Sequence, residues 1–108
     1  MPDTPSSATS HIQEHGDGFR LLVVDDDSDI RDLLADYLRK HGFVVESAAD
    51  GTEMRQKLSL GSFDLLVLDI MMPGEDGLSL CRELRAKSRE AEEPDIPVIF
   101  LTALGEAT

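Results

Sequence analysis

The sequence predicts an α/β fold with a parallel sheet, and two observations carry that expectation. Short apolar runs alternate with helical segments along the chain, strand, helix, strand, helix, strand, helix, strand, which is the pattern of βαβ units with right-handed crossovers and helices on both sheet faces. In addition, Leu65 to Leu68 is an unbroken apolar run bounded by turn signals, as in a strand buried on both faces, and it ends abruptly in Asp69. A carboxylate at the carboxyl end of a central strand lies where open α/β sheets bind ligands. Pro73, Gly74 and Gly77 then make an irregular loop that leaves Asp69 facing solvent or a ligand.

Residues 1–18 are rich in Ser, Thr, Pro, Gly and His, with Ile12 the only large apolar side chain after Met1. Such a stretch buries too little to offset its ordering entropy and reads as a disordered tail. His11 and His15 are spaced to share a metal on one helix face, but Gly16 and Gly18 make a helix there poor. One domain is then expected from residue 19 to residue 108.

Phe19 to Val24 is the first strand and runs into Asp25, Asp26 and Asp27. Asp27 or Ser28 caps the helix that follows. Ile30, Leu33, Leu34, Tyr37 and Leu38 follow the i, i+3, i+4, i+7, i+8 spacing of one buried stripe, which stops at His41 and Gly42. Phe43 to Ala48 alternates enough to be an edge strand. Asp50 and Glu53 form a capping box for the second helix, whose apolar face, Met54 and Leu58, is narrow and which Gly61 closes. The third helix is expected from Asp76 to Lys87, with Leu78, Leu80, Cys81 and Leu84 apolar and Cys81 a small core residue. Ser88 to Asp95 reads as a charged loop. Ile96 to Leu101 is the fourth strand, with Pro97 near its start, and Thr102 stands at its carboxyl end.

The formal net charge of -12 argues against general attraction to nucleic acid or anionic membrane and favours a cation or a basic partner surface. A single cysteine rules out an intramolecular disulfide. With no apolar run near the roughly 18 residues of a spanning helix and no signal-peptide pattern at the N-terminus, a soluble, cytoplasmic chain is expected.

Because all carboxyl ends of parallel strands share one edge, Asp25, Asp26, Asp69 and Thr102 are expected to meet there. Converging carboxylates repel one another or demand a counter-cation, and oxygen ligands of this kind suit Mg²⁺. A bound Mg²⁺ would make Asp69 a phosphoryl acceptor by neutralising the incoming group, with the Thr102 hydroxyl within reach of a phosphoryl oxygen. Taken alone, Thr102 is better explained as a strand-end residue bonding its own backbone. Asp25, Asp27, Asp29 and Asp36 imitate a calcium-loop spacing, but Ile30 stands where that loop needs glycine. An Asp-x-Asp sequence after a strand also resembles the nucleophile motif of haloacid-dehalogenase-like phosphatases, with Asp25 attacking. That alternative leaves the segment from Asp69 to Gly74 without a role.

Val23-Val24-Asp25-Asp26, Asp69 with Met72-Pro73 and Asp76-Gly77 behind it, and Thr102-Ala103 together resemble the receiver domain of two-component response regulators. The run from Met72 to Arg85 is similar to the OmpR-type subclass, whose members carry a winged-helix DNA-binding domain after the receiver. The resemblance implies a flavodoxin-like (CheY-like) doubly wound parallel sheet in strand order 2-1-3-4. It implies that Asp69 accepts a phosphoryl group from a phosphohistidine on a sensor histidine kinase. Mg²⁺ would be bound by Asp26 directly, by Asp25 mainly through water, by Asp69, and by the backbone carbonyl of Met71. Thr102 would be the switch hydroxyl of a two-state signalling surface, and the protein a phosphoacceptor in a phosphorelay rather than an enzyme. The family pattern continues with a fourth helix, a fifth strand ending in a Lys, and a fifth helix, none of which this sequence contains; Lys87, in the third helix, does not replace that Lys. The expectation is therefore a truncated receiver, with DNA contacted only through an effector domain outside this chain. Its sheet face beside the first helix would be uncovered, open to a homodimer or to use as a non-catalytic interaction module.

Overall fold

The computed structural model describes residues 18–102; the predicted tail, the His11 and His15 pair and Ala103 lie outside the described residues. Four strands, β1 (Arg20–Val24), β2 (Val44–Ala48), β3 (Leu65–Asp69) and β4 (Val98–Leu101), alternate with three helices, α1 (Ser28–Lys40), α2 (Gly51–Leu60) and α3 (Gly77–Ala91). The sheet is wholly parallel in the order β2-β1-β3-β4, as expected.

Period-two alternation in the central strands supplies two cores. Leu22, Val24, Leu66 and Leu68 face α2 and α3 and pack with Met54, Met72 and Leu80. Leu21, Val23 and Val67 face α1 and pack with Ala35 and, at the margin, Leu34 and Leu38. Cys81 sits half-buried against the first of these cores, a packing role.

Local signals set the helix starts. Asp27 caps α1, its carboxylate accepting from the amides of Asp29 and Ile30. Asp50 caps α2 by accepting from the Glu53 amide, and Glu53 reaches back to the amide of Ala49, one residue earlier than in the usual capping box. Asp76 caps α3 through the amide of Ser79 at 2.7 Å, and this contact holds its carboxyl below the usual range.

Three expectations need correction. The α1 stripe is not buried as a unit: Ile30, Leu33 and Tyr37 are exposed, Leu33 at 73%, and the buried contact is made by Ala35 with Leu34 and Leu38 beside it. Spacing sets a stripe's width, whereas the neighbours decide how much of it is covered, and among the described residues only one edge of the stripe meets the sheet. Second, α3 continues four residues past Lys87 into the presumed loop and ends where Glu92 takes a left-handed conformation at φ 56°. Charged residues such as Arg89 and Glu90 are good helix formers, and a Lys87–Glu83 pair one turn apart supports the extension. Third, β4 begins at Val98, two residues after Ile96.

Substitutions at Met54 and Leu33 separate the buried face from the exposed one. In urea unfolding, Met54→Ala is expected to cost about 2–4 kcal/mol, and Leu33→Ala to stay within about 0.5 kcal/mol of the parent once helix propensity is considered.

Candidate functional site

The site lies at the carboxyl edge of the sheet and is set by strand register. Val24 pairs with Leu68, so the next residue of each strand, Asp25 and Asp69, emerges side by side from neighbouring strands. Asp26 follows Asp25 as the chain turns toward α1. The structure brings the three expected acids together: one carboxylate oxygen from each of Asp25, Asp26 and Asp69 lies within 4.8 Å of the others. Asp25 is buried at 4% exposure, Asp26 is exposed and Asp69 lies between.

Asp25 is also fixed through its backbone. Its amide donates to the carbonyl of Ala48, and its carbonyl accepts from the Arg31 guanidinium at 2.7 Å. Its carboxylate accepts from the Asp27 amide at 2.9 Å. Asp69 accepts from the amide of Met71 at 3.0 Å. Burial pushes the Asp69 carboxyl up to about 6; the Met71 amide opposes that rise, and the neighbouring Asp25 and then Asp26 add to it.

The loop after β3 turns on two anchors. Met72 is buried against the α2 and α3 side while Met71 stays exposed, and the amide of Gly77 donates to the carbonyl of Ile70 at 2.9 Å. A Cβ at Gly77 would collide with the backbone carbonyl of Asp69, which leaves no room for any side chain at the start of α3. Between loop and helices opens a cleft of about 230 Å³, lined by Asp26, Asp50, Gly51, Met72, Pro73 and Glu75. Thr102 follows β4 directly and is exposed. It stands one residue beyond Leu101, the register partner of Asp69, so it shares the edge with the acids. Sequence reasoning missed Arg55, which joins Glu75 of this loop to Glu83 of α3. Its partners are 20 and 28 residues away, beyond any local spacing signal.

Chemically the donor set is all oxygen, negatively charged and mutually repelling. It fits a hard divalent cation, which would relieve the repulsion that adds to burial in raising Asp69, and it contains no soft sulfur or imidazole donor among the clustered residues.

A parallel α/β sheet with carboxylates from two adjacent strand ends and a hydroxyl-bearing residue at the next is an open α/β domain with an acidic site at its carboxyl edge. Comparison with known proteins agrees. A family model for the response regulator receiver domain matches residues 21–108, and the chain belongs to that family of two-component signalling domains. It is 50% identical over 86 residues to Protein PetR of Rhodobacter capsulatus, covering 80% of this chain and 34% of PetR. It is 46% identical over 86 residues to Transcriptional regulatory protein GltR of Pseudomonas aeruginosa, with the same shares of the two chains. The chain thus spans about a third of the length of these curated relatives. Among solved structures, response regulator TrrA of Thermotoga maritima in complex with Mg²⁺-BeF matches with a TM-score of 0.68 at 40% identity, over 79% of this chain and 70% of that one. A complex of the histidine kinase ThkA with TrrA matches with a TM-score of 0.69 at 41% identity, over 79% of this chain and 69% of that one. Neither the phosphatase alternative nor the non-catalytic interaction module is favoured by these matches. Among the described residues no helix is long and apolar enough to cross a membrane.

The raised Asp69 carboxyl has a stability consequence. A group whose folded value exceeds its unfolded one supports the fold at low pH, and that support is lost as pH rises through about 6. Asp69→Asn should therefore stabilise the chain at pH 7.5 without divalent cations, by about 1–2 kcal/mol. The advantage should shrink as pH falls below 6, and thermal melts of the two proteins at several pH values measure it.

Proposed function

We propose that Asp69 is the phosphoacceptor of this receiver, taking a phosphoryl group from a phosphohistidine of a sensor histidine kinase. The supporting observation is the meeting of Asp25, Asp26 and Asp69 at the carboxyl edge. In this reading an Asp69 carboxylate oxygen attacks phosphorus, an O–P bond forms as the N–P bond breaks, and the released imidazole nitrogen takes up a proton. Asp26 and Asp69 would hold Mg²⁺, with Asp25 acting mainly through water and the Met71 carbonyl adding a ligand from the loop. Bound there, Mg²⁺ supplies the positive charge that lets an anionic nucleophile approach an anionic phosphoryl group.

Asp25 is held by the amide of Asp27 and, through its backbone, by Arg31, so it enters the site already oriented. The Met71 amide holds one Asp69 oxygen and leaves the other available for attack. Thr102, from the neighbouring strand end, donates its hydroxyl to the phosphoryl group and carries the change to the signalling surface. The chain acts as a phosphoacceptor and not as an enzyme in its own right. It works in the cytoplasm, with residues 19–108 belonging to one receiver unit and residues 1–18 a tail. The output is control of transcription through a DNA-binding effector, a reading supported by the relative GltR being a transcriptional regulatory protein.

Incubation with Mg²⁺ and acetyl phosphate, followed by intact mass, tests the assignment. The expected result is one phosphoryl adduct on the parent chain, none on Asp69→Asn and none when Mg²⁺ is chelated. An adduct that persists on Asp69→Asn would move the acceptor elsewhere.

A further inference from the structure

Arg55, on α2, is the centre of an ion-pair network that the phosphoacceptor chemistry leaves unused. Its Nη2 donates to Glu75 Oε2 at 2.5 Å and to Glu83 Oε1 at 3.0 Å, while its Nε donates to Glu83 Oε2 at 2.8 Å. Lys87 adds a further contact to Glu83 at 3.4 Å. The guanidinium thus binds the α3 acid in a fork through Nε and Nη2, and meets the loop acid with its other edge, Nη2 and, at 3.4 Å, Nη1 donating to the two Glu75 oxygens. The fork matters because a bidentate guanidinium is held in one orientation, unlike a lone surface pair. Arg55 lowers the Glu83 carboxyl to about 2.

Glu75 is the only one of these partners in the irregular segment between β3 and α3, four residues after Met71 and six after Asp69. Its carboxylate lies against Gly51, the first residue of α2, where a Cβ would collide with it. The α2 start is therefore shaped to admit the Glu75 side chain, and the helix's positive end favours the carboxylate there. Pro73 and Glu75 form the loop's side of the cleft that Asp26 also lines. Met72 holds the loop from below through apolar packing, and the Glu75–Arg55 contact holds it from above.

We propose that Arg55 is a positioning residue: by tying Glu75 to α2 and Glu83, it holds the β3–α3 loop in the conformation that presents the Met71 carbonyl to a divalent cation. This inference rests on the metal assignment above and goes beyond it by naming a residue outside the ligand set that tunes affinity.

Charge makes the test decisive. Acting only through space, Arg55 is a cation near a cation site, so its removal would tighten metal binding. Acting through the loop, its removal weakens binding although a repulsive charge has gone. Calorimetric titration of the full chain with MgCl₂ reads the difference. Arg55→Gln is expected to raise the Mg²⁺ Kd by about threefold to tenfold, less than the largest effects of residues that orient metal ligands because the network is half exposed. Without metal, the amides of Gly74 to Asp76 should exchange faster with solvent in Arg55→Gln than in the parent. Arg20→Gln is the control for general loss of stability. It breaks a comparable pair with Glu46 at the opposite, amino-terminal end of β1 and should leave the Mg²⁺ Kd unchanged.

An Arg55→Gln chain that binds Mg²⁺ as tightly as the parent, or more tightly, overturns the inference alone, as does an equal weakening in Arg20→Gln. A parent chain that takes up no Mg²⁺ overturns the metal assignment and this inference with it. Should Arg55→Gln fold poorly, Glu75→Gln is read by amide exchange of the same loop residues, and unchanged exchange there also overturns it.

Discussion

Parallel register between β1 and β3 places two carboxylates where they would not otherwise remain. Val24 and Leu68 are paired within the sheet, so Asp25 and Asp69 leave it at the same level, separated by little more than the spacing of neighbouring strands. Asp26 closes the group. Hydrophobic burial of Leu21 to Val24 and Leu66 to Leu68 fixes the strands that carry these acids, and that burial is worth far more than the repulsion at their ends. The site is thus a local conflict maintained by the core beneath it, and in the proposed reading a cation and an incoming phosphoryl group meet carboxylates already gathered at one edge.

The loop behind Asp69 is held with similar economy. Gly77 starts α3 so close to the Asp69 carbonyl that only glycine fits, and its amide is bonded to Ile70. Asp76 caps the helix at the same point. Between these anchors and β3, Met72 turns inward and Met71 outward, so the loop's one buried side chain sits beside the residue whose carbonyl faces the site in the proposed reading. Arg55 and Glu75 complete the loop's attachment from the α2 side.

The two faces of the sheet are unequally covered among the described residues. Helices α2 and α3 pack on one face, and α1 alone packs on the other. Ile99 of β4 is 52% exposed as a result, and Leu33 and Tyr37 look out from α1. Apolar residues that pattern as core are here surface, because coverage depends on what lies opposite and not on spacing.

Much of this was legible without coordinates. Continuous apolar runs ending in aspartate, the Asp50 and Asp76 caps and the alternation of strand and helix suffice for a parallel α/β sheet, since burial and capping are local properties that residue type and period encode. The pairing of Asp25 and Asp26 with Asp69 was legible too, because parallel strands bring all carboxyl ends to one edge. Other features were not. The extent of α3, the exposed half of the α1 stripe, the glycine-only contact of Gly77 with the Asp69 carbonyl and the Arg55 network all depend on which surfaces meet across 8 to 28 residues of chain or more, and no period or propensity carries that information. Sequence by itself determined which residues stand at the strand ends and what chemistry they have; only the tertiary structure decided how close they come, which of them is buried, and what holds the loop against them, because those are set by packing between elements distant in the chain.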